Sequence, residues 1–200
     1  AVVAFLAASC QDSLPPDVYD PQPEPDPGFV EAVPDTVTFT NADFIYYGDI
    51  AGESSYDDWV VKLYTDMEID ELGNPVGPGA VTQLQLNARW AESQTADPKN
   101  LKGVYREMMN SGNFAPGTFL SGYMVTLDLP GQTIQVADGT FFASLEEGSK
   151  EMDYDLIDEG AVSIQPNADG TYNIEGVLVG KKYTKRYFKW TGDIQPRDAV

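Results

Sequence analysis

The segment Asp66-Met67-Glu68-Ile69-Asp70-Glu71-Leu72-Gly73-Asn74 sets four carboxylates and one amide within nine residues. Calcium collects about six to eight oxygens from a flexible loop, so Asp66, Glu68 and Asp70 are the candidate metal ligands, and Ca²⁺ is the one cofactor left open. An EF-hand is excluded. Its sixth position would need glycine and holds Glu71, and its twelfth would need a bidentate glutamate and holds Gly77. The competing reading is an acidic, solvated connection between two strands.

A second constellation is aromatic. Trp90 lies in Asn87-Ala88-Arg89-Trp90-Ala91-Glu92-Ser93-Gln94, just past a strand-like run. An exposed indole flanked by Arg, Asn and Gln can stack on a sugar face while its neighbours bond the hydroxyls. Tyr46, Tyr47 and Tyr56 can join such a surface, Tyr46 and Tyr56 being the ones assigned to ligand binding with Trp90, and all three fit equally well as strand core and rim residues. Against this, large aromatics usually bury most of their surface, which would make Trp90 a lid on one end of the core.

Catalysis has little to draw on. The chain has no histidine, which removes the commonest general base and every Ser-His-Asp or Cys-His arrangement. The acidic pairs Asp57-Asp58, Glu146-Glu147 and Asp158-Glu159 invite comparison with a glycosidase acid and base. Adjacent strand residues point to opposite faces, so none of these pairs is a dyad by itself, and no catalytic residue is assigned.

Lys181, Lys182, Lys185, Arg186 and Lys189 are five of the twelve basic residues, interleaved with Tyr183, Tyr187, Phe188 and Trp190. Such a pattern can stack single-stranded nucleic acid. The net charge of -20 opposes a polyphosphate at long range, so nucleic acid is not expected as a partner. An edge strand whose lysines block unwanted pairing and meet acidic neighbours is the structural reading.

The elements that would position these groups are strands. After Asp35 the chain runs in short β-branched and aromatic stretches of period two, punctuated by Gly, Pro, Asn and Asp. Strands are expected near 36–40, 44–47, 59–64, 81–87, 103–106, 119–128, 133–136, 140–145, 152–156, 161–165, 171–179 and 183–191, with a short helix over 101–109 as an alternative. Asp169-Gly170 and Leu129-Pro130-Gly131-Gln132 supply hairpin turns. The fold class expected is all-β, an antiparallel β-sandwich with a calycin-like β-barrel as the alternative, occupying residues 36–194 as one domain with 195–200 as a tail.

The N-terminal part has a different character. Residues 1–9 carry no charge and end in Ala7-Ala8-Ser9 before Cys10, the only cysteine. They are too few to span a bilayer as a helix. They read as the remnant of a secretory signal, and the small residues before Cys10 resemble a lipobox, although Leu6 stands one position further back than usual. Cys10 is therefore the expected lipidation site. Residues 11–35 hold half of the 14 prolines among acidic residues, so a disordered, extended tether is expected. With no basic residue before Lys62, the expected membrane partner is reached through acyl chains and not through a polybasic segment.

The phrases Tyr46-Tyr47-Gly48-Asp49, Trp59-Val60-Val61-Lys62-Leu63-Tyr64-Thr65-Asp66, Ala115-Pro116-Gly117-Thr118-Phe119, Asp169-Gly170-Thr171-Tyr172-Asn173-Ile174 and Trp190-Thr191-Gly192-Asp193-Ile194 resemble those of uncharacterised surface lipoproteins of Bacteroidales-type bacteria. The resemblance implies a sandwich or calycin-like domain in the cell envelope, anchored in the outer membrane and exposed outside the cell or in the periplasm, and it carries no catalytic residues. The function expected is a non-catalytic binding module for extracellular glycan. Two alternatives stand beside it: a structural subunit of a surface protein complex, and a carboxylate-dependent glycan hydrolase.

Overall fold

Along β3 (Tyr56–Tyr64) the residues Asp57, Trp59, Val61 and Leu63 are all 0% exposed, while Val60, Lys62 and Tyr64 on the other face are only partly covered. In its partner β6 (Gly79–Arg89), Leu84, Leu86 and Ala88 face the core, and Gln83, Gln85 and Asn87 lie on the opposite face, where Gln83 and Asn87 are also covered. The two strands pair antiparallel from Tyr56 opposite Arg89 to Tyr64 opposite Val81.

The computed structural model describes residues 36–69, 75–107, 114–149, 152–182 and 184–199. Among these the regular elements are strands, apart from a single 3-10 turn at Pro98–Leu101 capped by the Asp97 side chain. The all-β expectation therefore holds. Over 101–109 the described residues form that turn and then a strand, not a helix.

The remaining strands are β1 (Thr36–Thr38), β2 (Asn41–Gly48), β4 (Glu68–Ile69), β5 (Pro75–Val76), β7 (Gly103–Glu107), β8 (Thr118–Phe119), β9 (Tyr123–Leu129) and β10 (Gln132–Asp138). They continue as β11 (Phe141–Leu145), β12 (Asp153–Pro166), β13 (Tyr172–Gly180), β14 (Lys185–Gly192) and β15 (Pro196–Asp198). The main sheet follows the order β1-β14-β13-β12-β7-β8-β6-β3-β2-β15. Off this path, β11 pairs with both β12 and β6, which closes β6, β8, β7, β12 and β11 into a five-strand, barrel-like ring. Alternation in sequence does not reveal closure, because it reports which face is buried and not which strand lies alongside.

The sheet also curls so that β2, near one end, packs its side chains against β14, near the other. Phe44 of β2 lies 5.4 Å from Trp190 of β14, and Phe39, between β1 and β2, lies 6.2 Å from Phe188 of β14. Only Phe39 and Thr40 separate β1, parallel to β14, from β2, antiparallel to β3. One continuous stretch thus joins both sides of the core. Burying each large side chain in this core contributes roughly 1.5 to 3 kcal/mol. Phe44, Trp59, Leu84, Leu86, Phe119, Ile164 and Ile174 are among its most enclosed members.

Three expectations need correction. The stretch expected as a tail, residues 195–200, contains a strand: Pro196–Asp198 form β15 on the edge of β2, and Arg197 forms a two-pronged contact with Asp43 at 3.1 and 2.8 Å. The two strands expected at 152–156 and 161–165 are one, β12, which absorbs a register irregularity between Ile157 and Glu159. Nor is β14 an edge, since β1 pairs along it.

The hairpin of β9 and β10 is a sheet of its own. Cross-strand pairs Val125–Val136 and Leu127–Ile134 share one of its faces with Tyr123 and Asp138.

Candidate functional site

A bulge in β2 starts the site. Tyr46 pairs with Trp59 and Gly48 with Asp58, so Tyr47 is the extra residue, left without a partner and 46% exposed. Bulges of this kind re-aim side chains and often adjoin functional sites. Gly48 takes φ +72°, a left-handed conformation suited to glycine, and the chain then turns over the outer face of β3. Asp49 fastens that turn: its carboxylate accepts from Glu53 N at 3.1 Å and Ser54 N at 2.8 Å.

The turn is tied to the interior through Gln94. Its Oε1 accepts from Asp49 N at 3.0 Å, and its Nε2 donates to Asp57 Oδ1 at 3.0 Å and to Ala91 O at 2.7 Å. Asp57 Oδ2 also accepts from Ala91 N at 3.1 Å and from the Tyr46 hydroxyl at 3.3 Å. A fully buried carboxylate is thereby satisfied on both oxygens. Burial first, and then this carboxylate, push the Tyr46 hydroxyl up to about 12.

Asp58 points the other way. With Tyr47, Ile50, Val60, Gln85 and Asp138 it lines a cavity of about 170 Å³. Gln85 is opposite Val60 in the ladder, and Asp138 comes from the base of the β9–β10 hairpin. Asp138 is held in place by the Tyr123 hydroxyl, which donates to Oδ2 at 3.0 Å, and by its neighbour Gly139 N, which donates to Oδ1 at 2.8 Å. Asp58 is only 7% exposed, yet among the described residues no donor hydrogen-bonds its side chain and no ion pair includes it. Burial, followed by the charges of Asp57 and Asp49, pushes its carboxyl up to about 6.

The arrangement brings a phenol, an amide and two carboxyl groups to one small cavity between apolar walls. Such a set can hydrogen-bond a polyol or an amine, and the exposed Tyr47 ring can lie against an apolar ring face. A larger groove of about 370 Å³ runs over β12, β13 and β14 above Gly176, beside Val104 and Val177. Its charged residues, Glu175 and Lys189, are cross-strand neighbours. Its lining is mostly apolar and brings only one carboxyl, so it carries less chemistry than the smaller cavity.

The residues expected from sequence fall in different places. Tyr46 is 5% exposed with its ring 4.9 Å from Trp59, so it is an interior residue and not part of a stacking surface. Tyr56 shares the outer face of β3 with Asp58, but it is 5% exposed beneath Phe114, whose ring stacks on it at 5.7 Å and 18°. Trp90 follows β6 and is partly buried. Its Nε1 is buried without a hydrogen-bond partner, and it does not line the cavity.

Asp66 and Glu68 are exposed, Asp70 lies outside the described residues, and among the described residues no three acidic, cysteine or histidine side chains converge on a metal position. Cys10 also lies outside the described residues. Gln85, Asp138 and Phe114 had no signal in the sequence. Asp58 had a partial one, since two consecutive acids ahead of Trp59-Val60-Val61 must place one carboxylate on each face of the strand.

The basic cluster is spent largely on ion pairs: Lys182 with Asp153 at 2.6 Å, Lys181 with Asp158 at 3.6 Å and Arg186 with Asp155 at 3.5 Å. Lys185 lies over the Tyr187 ring. The Arg186 guanidinium sits 4.2 Å from the Phe142 ring centre, and Asp155 is 2% exposed.

Comparison with protein-family models, with curated proteins and with solved structures returned no match.

Proposed function

We propose that this chain is a non-catalytic binding module of the cell envelope, held to the membrane by a lipid on Cys10 and engaging extracellular glycan through the cavity formed by Tyr47, Asp58, Gln85 and Asp138. The observation that supports the reading is the convergence on one cavity of Asp58, which no donor hydrogen-bonds among the described residues, with Gln85 and Asp138 beside the exposed Tyr47 ring. Sugar recognition calls for that combination: polar groups for hydroxyls and a flat apolar face for the ring. The anchor rests on the uncharged run and small residues before Cys10 and on the acidic, proline-rich stretch after it.

A carboxylate-dependent hydrolase is the second reading, favoured by one observation. Asp58 near 6 has the raised value a general acid needs, and Asp138 is a second carboxyl at the same cavity. Size argues for binding. Sites that enclose a small molecule usually measure about 300 to 1,000 Å³, and a glycosidase must hold sugar on both sides of the scissile bond. At about 170 Å³ the cavity suits one ring or a single substituent.

A glycan array probed with the chain tests both readings. The binding reading expects retention on a subset of glycans, abolished by Tyr47→Ala and unaffected by chelator. Release of reducing sugar that Asp58→Asn abolishes would move the assignment to a hydrolase. No retention on any glycan, together with a protein partner recovered from membranes, would move it to a structural subunit.

A further inference from the structure

We infer that the cavity at Asp58 selects a glycan bearing a free primary amine, an amino sugar whose nitrogen is not acylated and is therefore cationic; this rests on the glycan reading and narrows it.

The argument begins with an imbalance. Asp58 and Asp138 both line the cavity, and among the described residues neither takes part in an ion pair. Asp49 and Asp57 add negative charge nearby, enough to act on Asp58. The basic residue nearest in register is Arg89, exposed at the end of β6 and paired with Tyr56, not with Asp58. A carboxylate that is 7% exposed, opens on the cavity and takes no hydrogen bond from a described residue is a poorly solvated charge, which a cationic group in the cavity would compensate.

The shape of the deficit identifies the compensating group. Anionic sugars are repelled by two carboxylates within a domain of net charge -20. A neutral hydroxyl supplies one donor and leaves the charge in place. An ammonium supplies three donors and a positive charge, and the cavity offers acceptors to match: Asp58, Asp138 and the Gln85 amide oxygen. A bare metal ion fits less well. Calcium needs about six to eight oxygens, and no three acidic side chains converge among the described residues. Tyr47, 46% exposed at the rim, would lie against the ring that carries the amine.

Isothermal titration calorimetry on the full chain decides the matter with four probes of equal length at one pH near 7: oligomers of glucosamine, of N-acetylglucosamine and of glucose, and oligolysine. The inference expects the glucosamine oligomer to bind about tenfold or more tighter than the other two sugars, the scale of one close charge pair. In Asp58→Asn that preference should vanish while weak binding of all three sugars persists. A thermal melt on the variant confirms that it is folded.

Equal or tighter binding of N-acetylglucosamine or glucose oligomers would overturn the inference and leave the glycan reading standing. Oligolysine binding as tightly as the glucosamine oligomer, in wild type and variant alike, would overturn it by exposing a general attraction to polycations. Absence of heat with every sugar would overturn the glycan reading itself.

Discussion

Asp57 and Asp58 are neighbours in sequence and opposites in surroundings. The first is 0% exposed and accepts hydrogen bonds from Tyr46, Ala91 and Gln94; the second is 7% exposed and, among the described residues, receives none. One peptide bond separates a carboxylate that organises the interior from one that faces a cavity. The alternation of a strand is the whole cause.

Asp58 makes stability depend on pH in the direction opposite to most acids. Its folded value of about 6 lies above the ordinary 3.8, so between these values the folded chain holds a proton that the unfolded chain has released. Stability from this group is complete below about pH 4 and is lost as pH rises through 6. The charges that act on it are Asp57 and Asp49, its own charge acts on Tyr56, and Asp138 and Tyr47 line the same cavity. Asp58→Asn is expected to raise stability at pH 7.5 by roughly 1 to 3 kcal/mol. Paired urea melts at pH 7.5 and pH 4 check this, the gain being absent at the lower pH.

Asp57 should behave in the contrary way. Asp57→Ala strips three donors of their acceptor in a buried setting, and a loss of about 3 kcal/mol or more is expected in urea denaturation at neutral pH. Asp57→Asn keeps one acceptor oxygen and should lose less. If Asp57→Ala melts like the wild type, the Gln94 network is not what fixes the turn at Asp49.

Gly180 is required by what stands beside it. A Cβ there would fall 2.0 to 2.4 Å from atoms of the Asp155 carboxylate. Gly180→Ala must displace that buried side chain and with it the contact to Arg186, at an expected cost of roughly 2 to 4 kcal/mol. Double-mutant melts with Arg186→Met should show that the two costs do not add.

Trp90 and Tyr47 separate packing from recognition. Trp90→Ala is expected to lower stability by roughly 1 to 3 kcal/mol through lost packing, with sugar affinity unchanged. Tyr47→Ala should weaken sugar binding and leave the melting temperature within about 2 °C, as for an exposed side chain. Calorimetry and thermal melts on both variants would reveal a reversal of these roles.

Local chemistry was readable where one turn decides the outcome. Asp169-Gly170 forms the expected hairpin, with Gly170 at φ +93° and Asp169 accepting from the Thr171 amide and hydroxyl at 3.0 and 2.7 Å. Those bonds hold the Asp169 carboxyl below its usual range. Pro130-Gly131 likewise joins β9 to β10. What could not be read depends on distant chain. Asp58 and Asp138 share a cavity only because a bulge at Tyr47 and a separate hairpin bring loops over β3, and neither event leaves a periodic trace. Tyr46 and Tyr56 fit a binding surface and a strand core equally well in sequence, because aromatic type does not report burial. Ring closure through β11 and the sheet role of 196–198 are pairings between remote segments, beyond the reach of any local pattern.

Those remote pairings also order events in time. β1 waits for β14, β2 gains β15, and the Asp43–Arg197 contact joins residues 154 positions apart. A chain emerging from the ribosome cannot complete its sheet until the stretch around 185–198 has been made. Contacts this distant slow folding, because loop-closure entropy must be overcome before they form. Until then β1 lacks its partner strand and β2 keeps one edge unpaired.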